Sequence, residues 1–424
     1  MTSGPVSSTR GLPASPLVVR TVELEEDFDL IAHLPPTAPL AWVRHGEGIV
    51  GWGEVARLRV GGPDRFALAD AWWQQLLEGA VIRDEVGLTG TGPLAFGSFA
   101  FDEDPGDSVL VVPAVILGRR GGRAWVSTVG VAGSLPPAAD LSERPAPRPP
   151  RGVAFADGAR SPAEWTAVVA DAVDRIGRGE LDKVVLARDL EAVADEPVDL
   201  RWALARLAER YPACWTFSVD GLLGATPEML LRLERGLVTS RVLAGTIRRT
   251  GDETRDAALA GTLTRSSKDL EEHEYAVRSV AEALAPRCSS TNVPESPFVL
   301  HLPNVMHLAT DVAGVLAGPA SSLELAAALH PTAAVCGTPT EPARALIRAI
   351  EGLDRGRYAG PVGWMDSSGD GEWGIALRCA KVDPADPARL RLFAGCGIVA
   401  GSDPQAELAE SAAKLVPMRD ALSG

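Results

Sequence analysis

Residues Leu392–Leu415 read LFAGCGIVAGSDPQAELAESAAKL. The run opens as an apolar strand in which Gly395 and Gly397 let backbone approach a ligand closely. Ser402, Asp403 and Pro404 then mark the start of a helix. Along that helix Glu407, Glu410 and Lys414 recur at spacings of three and four, so two carboxylates and an ammonium share one face directly after a glycine-rich turn. Such a face suits a cation and an anion together. The competing reading is a solvated helix flank.

A second acidic pair changes the balance. A long helix is expected from about Ser267 to Ala285, and its opening, SSKDLEEHEYAV, sets Asp269 and Glu272 on one face while Glu271 and Glu274 point elsewhere. If the two helices meet, Asp269, Glu272, Glu407 and Glu410 converge, and four carboxylates in a small volume require a cation. Oxygen ligands favour a hard ion. Magnesium takes one or two protein carboxylates and keeps its other positions for water and an anionic substrate. Glu272 and Glu410 are therefore the expected ligands, with Asp269 and Glu407 holding coordinated water or orienting them. The alternative is two independent, solvated helix faces.

Composition narrows the class of function. The chain has 424 residues, 46% of them hydrophobic, enough for a substantial core. A formal charge of −15 without any Lys/Arg block argues against nucleic acid or an anionic membrane as partner and for a small molecule. Five scattered cysteines, Cys214, Cys288, Cys336, Cys379 and Cys396, show no zinc spacing and read as reduced thiols. The opening MTSGPVSSTRGLPASP reads as neither signal peptide nor membrane span, so a cytoplasmic protein is expected.

Organisation follows from the punctuation. Residues 1–18 are rich in Ser, Pro and Gly and are expected to be disordered. From 19 to 150 the chain reads as strands interrupted by one helix near Phe66–Glu78, ending in the proline-dense LPPAADLSERPAPRPPR. From 151 to 424 helices alternate irregularly with strands. Ser161, Pro162 and Glu164 form a capping box before a helical period of Trp165, Val168, Val169, Ala172, Val173 and Ile176. Further helices are expected at Leu200–Arg210, Ser322–Leu329 and Glu341–Glu351. Strand runs mixed with helices, without a strict βαβ rhythm, indicate an α+β architecture.

Several single residues sit in settings that would alter their chemistry. Lys183, in LDKVVLAR, stands at the edge of an apolar strand, where desolvation would favour a general base; the alternative is an edge lysine reaching solvent. Glu228, in GATPEML, has apolar neighbours that would keep it protonated as a general acid, or it is a turn carboxylate. Arg378, in GIALRCAKV, is placed within an inner strand, where its charge needs a buried anion such as a substrate carboxylate. His307 is either a donor to a substrate oxygen or a satisfied core histidine. Tyr358 offers a hydroxyl or merely caps a turn.

Taken in order, LDKVVLAR, GATPEML, LAGTIRR, SSKDLEEHE, HPTAAVCGTP, RYAGPVGW, GEWGIALRCAKV and GCGIVAGSDPQAELAESAAKL resemble the chorismate-utilising enzymes from about Ser161 to Leu422. The resemblance implies two stacked, mostly antiparallel β-sheets ringed by helices, the fold of anthranilate synthase component I, to which residues 19–150 would contribute their strands. It also implies Mg2+ as cofactor and chorismate as substrate. A lysine at position 183 resembles the branch that uses water as nucleophile. Ala244 stands where aminodeoxychorismate synthases can carry a lysine that attacks the substrate, so the aminodeoxychorismate branch is disfavoured.

The implied activity is that of isochorismate synthase. Lys183 would deprotonate water for attack at C2 and Glu228 would protonate the departing C4 hydroxyl. The ring carboxylate would lie on magnesium at Glu272 and Glu410, beside the backbone of Ala244, Gly245 and Thr246. The enolpyruvyl carboxylate would meet Arg378, Tyr358 and the amides near Gly395 and Gly397, with His307 as a further donor and Lys414 in support. No glutaminase subunit is needed, and a monomer is expected. Menaquinone and siderophore pathways both use such an enzyme. The alternatives are a salicylate synthase, which eliminates pyruvate from the same intermediate, and a non-catalytic chorismate- or metal-binding protein.

Overall fold

A computed structural model describes residues 13, 15–25, 28–36, 38–104, 106–133, 139–142 and 144–423. Most of the N-terminal stretch expected to be disordered lies outside them. Its last two residues, Leu17 and Val18, do not fit that expectation, because they begin the strand Leu17–Leu24.

Two large sheets, of thirteen and ten strands, make up the frame, with eight α-helices among the described residues. Pairing is antiparallel except between Leu17–Leu24 and Val81–Asp84. Each sheet draws strands from both sides of the proline-rich stretch. Leu40–Arg44 pairs with Trp215–Val219 in the larger sheet, and Leu94–Ser98 pairs with Pro361–Asp366 in the smaller. Tryptophans join the two layers: Trp42, of the larger sheet, donates its indole N–H to Glu372 Oε2 of the smaller at 2.7 Å. Trp364 and Trp373 are wholly buried, and a side chain at Gly97 would meet the Trp373 ring at 2.6 Å. A buried tryptophan removes about 200 Å² from water, roughly 5 kcal/mol of transfer free energy.

The helices start where their caps stand. In Pro162–Gly177 the Ser161 and Glu164 side chains bond each other's backbone N–H. In Pro404–Leu422 the Asp403 side chain accepts from Ala406 N at 2.8 Å. Ser266 does the same for Asp269 N at the start of Ser267–Leu284. Leu200–Arg210 and Ser322–Leu329 fall on the expected residues, whereas the helix expected at Glu341–Glu351 runs Thr340–Ile350. The helix Glu253–Leu263 and the strands Val81–Asp84, Ala154–Asp157, Cys288–Asn292, Phe298–His301 and Val305–Leu316 were not expected.

One correction bears on the site. Arg378 is not inside a strand. The run GEWGIALRCAKV divides into Gly371–Ile375, in the smaller sheet, and Cys379–Val382, in the larger, and Arg378 stands between them with φ +49°. The run GLLGATPEMLLRLE divides likewise into Leu222–Thr226 and Met229–Glu234, with Glu228 at the crossing. These two crossings are tied together: Ala225 N donates to Arg378 O at 3.2 Å and Ile375 N to Glu228 O at 3.1 Å. A charged residue at each crossing thus reaches the seam between the sheets.

Candidate active site

The seam opens into a cavity lined by Glu228, Ala244, Gly245, Thr246, Glu272, His307, Tyr358, Arg378, Gly395, Gly397, Glu410 and Lys414, with Val185, Val335 and Arg355 along one wall. Wider clefts elsewhere, such as that between Phe28, Arg44 and Cys214, bring together no comparable acid–base set among the described residues.

Lys183 opens the strand Lys183–Val193, paired with Arg389–Ile398 along most of its length. Its side chain is completely buried, so it is not an edge lysine reaching solvent. Nζ lies 3.0 Å from Oε1 of Glu272, which lines the cavity, while Lys183 itself stands just behind that lining. Gly397 makes this approach possible: a Cβ there would fall 2.3 Å from Glu272 Oε1 and 3.0 Å from Lys183 Cε. The Glu272 helix is seated by Gly245, whose φ of +79° interrupts the register of Leu237–Arg248 against Val305–Leu316. A Cβ at Gly245 would meet Asp269 Cβ at 3.1 Å.

Glu228 is almost fully buried, and burial pushes its pKa up to about 8 against the pull of Arg378 and Lys183. At neutral pH it therefore carries its proton. Lys414 donates to Glu410 Oε1 at 2.6 Å and to Gly395 O at 2.9 Å. Burial disfavours its charge, yet Glu410 outweighs this and holds the pKa above that of an ordinary lysine. His307 is neutral, because burial and then Arg378 and Lys414 hold its pKa well below the usual value. Arg378 Nη2 lies 3.4 Å from His307 Nε2 and can only donate, so the ring proton sits on Nδ1, 3.0 Å from Thr246 Oγ1. His307 is thus a satisfied buried residue that holds Arg378. Tyr358 stacks on Phe393 at 5.1 Å, and its hydroxyl fits only because position 395 is glycine, where a Cβ would lie 2.9 Å away.

The two acidic pairs separate into inner and outer members. Glu272 and Glu410 line the cavity; Asp269 and Glu407 do not. Glu407 accepts from Ser402 Oγ at 2.8 Å and lies with Glu410 and Cys396 within a 4.8 Å cluster, while Asp269 packs against Gly245. Two oxygen-only carboxylates facing the cavity, each held by a lysine, fit a hard divalent ion. The Gly395 carbonyl accepts from Lys414 Nζ, which ties the glycine-rich strand to the last helix. Sequence reading passed over His273, which bonds Ala244 O at 3.2 Å and Thr310 Oγ1 at 2.7 Å and so fixes the backbone beside Gly245. It also passed over Arg355 on the cavity wall.

Among the described residues no helix is long and apolar enough to cross a membrane. Residues 40–423 match the family described as chorismate binding enzyme. The chain is 36% identical over 423 residues to the salicylate biosynthesis isochorismate synthase of Pseudomonas aeruginosa, covering 91% of this chain and 85% of that one. It is 42% identical over 273 residues to isochorismate synthase DhbC of Bacillus subtilis, covering 62% of this chain and 68% of that one. Among solved structures, MenF, the menaquinone-specific isochorismate synthase of Escherichia coli, superposes with a TM-score of 0.79 at 27% identity, covering 98% of this chain and 96% of that one. With its two stacked, mostly antiparallel sheets and a carboxylate-lined seam between them, the chain belongs to the chorismate-binding enzyme family.

Proposed function

We propose that the chain is an isochorismate synthase, converting chorismate to isochorismate by adding water at C2 and releasing the C4 hydroxyl. The observation that carries this is a protonated, buried Glu228 in a cavity that also holds Glu272, Glu410 and Lys414, with the buried Lys183 Nζ 3.0 Å from Glu272 Oε1 behind the lining. Lys183 accepts the proton of the attacking water as the C2–O bond forms. The ring double bonds shift, and Glu228 gives its proton to the C4 oxygen as that bond breaks. Ala244 supplies no side-chain amine to attack the ring, in keeping with water as the nucleophile.

Magnesium would be held by Glu272 and Glu410, with Asp269 and Glu407 orienting them from behind. When bound, it neutralises and anchors the ring carboxylate of the substrate. Arg378, held by His307, takes the enolpyruvyl carboxylate with Tyr358 as a second donor, and Lys414 adds positive charge while fixing Glu410 and the Gly395 carbonyl. The wall of Gly245, Thr246 and Gly397 lets substrate approach backbone closely. The reading entails no glutaminase subunit and a cytoplasmic setting.

The test is product identification. Purified protein with chorismate and Mg2+ yields isochorismate without ammonia, and chelation abolishes the reaction. Anthranilate formed with ammonia, or salicylate with pyruvate, would overturn the assignment.

A further inference from the structure

The strand carrying Lys183 has an incomplete edge. On one side it pairs continuously with Arg389–Ile398. On the other, Gly337–Thr338 pairs only with Lys183 and Val184, and Ala154–Asp157 pairs only from Leu190 onward. Val185 N still finds a backbone partner, Cys336 O at 2.8 Å, but beyond it no strand lies alongside among the described residues until Leu190, and the buried backbone groups Val185 O, Ala187 N and Ala187 O need other partners.

Side chains fill the gap. Arg355 Nη2 donates to Val185 O at 2.7 Å, and Glu351 Oε2 accepts from Ala187 N at 2.7 Å. Glu351 and Arg355 are joined by two hydrogen bonds, of 2.7 and 2.6 Å, and both are almost wholly buried. Arg355 Nη1 also donates to Val335 O at 2.9 Å, tying in the segment that leads to Gly337. Trp165 Nε1 completes the row by donating to Ala187 O at 2.9 Å.

We propose that the Glu351–Arg355 pair is a positioning device for the reaction: it replaces a missing strand and sets where Lys183 Nζ stands relative to substrate. Side chains alternate along a strand, so Lys183 and Val185 face the same way, and Val185 lines the cavity. A shift of the backbone at Val185 therefore carries Lys183 with it. Displacement of a reacting group by about 1 Å costs up to roughly 100-fold in rate. Glu351 lies behind the cavity and Arg355 on its wall, with its guanidinium nitrogens hydrogen-bonded to Glu351, Val185 O and Val335 O; the pair acts through Lys183, and the inference rests on Lys183 being the base.

The experiment measures kcat, KM and the chorismate dissociation constant for Arg355→Lys, Lys183→Gln and the double variant. The expected result is a kcat reduced roughly 10–100-fold in Arg355→Lys, with KM and chorismate affinity within about twofold of the parent. On the Lys183→Gln background the same change has no further effect on residual turnover. Full activity of folded Arg355→Lys, equal losses of kcat and chorismate affinity, or an additive loss in the double variant would each overturn the proposal. Full activity of Lys183→Gln alone would instead remove the base assignment. Should Arg355→Lys fail to fold, Trp165→Phe removes the donor to Ala187 O while keeping an aromatic ring in the core. A kcat lowered about threefold or more at unchanged KM supports the proposal, and an unchanged kcat overturns it.

Discussion

Replacing Glu228 by Gln tests the protonated acid without relying on turnover. The carboxyl titrates near 4.5 in the unfolded chain and at about 8 in the folded one, because burial disfavours its charge. Between those values the folded state holds the extra proton. Glu228 therefore stabilises the fold fully below pH 4.5, and this contribution is lost as pH rises through 8. From pH 6 to pH 8 the unfolded state gains about 2.7 kcal/mol by ionising, and the onset of titration in the folded state returns about 0.4, so the enzyme loses about 2 kcal/mol on this account. Gln keeps the neutral amide shape and has no proton to lose. Urea unfolding in EDTA at pH 6, 7 and 8 should show the stability difference between the two proteins shifting by about 2 kcal/mol in favour of the variant. Parallel pH dependences would show that Glu228 ionises normally and cannot be the acid. The same pKa places a falling limb in kcat above pH 8, about tenfold per pH unit.

Lys183→Gln should largely abolish hydration, leaving only residual turnover, while retaining chorismate binding, checked by product analysis beside calorimetry; full activity would remove the base. Gly397→Ala should eliminate Mg2+-dependent stabilisation, read by thermal unfolding, because the added methyl would stand 2.3 Å from Glu272 Oε1. In the parent, Mg2+ at 100 times its dissociation constant should add about 2.7 kcal/mol of stability, and no shift on heating would deny a site at Glu272 and Glu410. Ser161→Ala should lower stability by about 1 kcal/mol in urea without altering KM, since only the helix cap is lost.

What could be read from the chain were features written in neighbouring residues. Ser161 with Glu164, and Asp403 with Pro404, announce helices whose caps form as local rules require. The inner faces of the two acidic helices were legible through their spacing: Glu272 and Glu410, the expected ligands, line the cavity, and Asp269 and Glu407, expected behind them, do not. Arg378 was misplaced because an apolar run looks the same whether it stays in one sheet or passes to the other. Only the left-handed turn at Arg378 marks the passage, and no glycine signals it. Cys288–Asn292, largely exposed, lacks the alternation that reveals a strand, and its partner Val305–Leu316 is recognisable only through long-range pairing. The incomplete edge beside Val185 and Ala187 was invisible for the same reason: its partners, Glu351, Arg355 and Trp165, come from distant parts of the chain.

The two crossings that carry Glu228 and Arg378 have a kinetic corollary. Neither residue reaches its working environment until both layers have docked, since each is strung between them. During refolding, turnover should consequently return later than the circular-dichroism signal of either layer, making catalysis itself a reporter of the final assembly step.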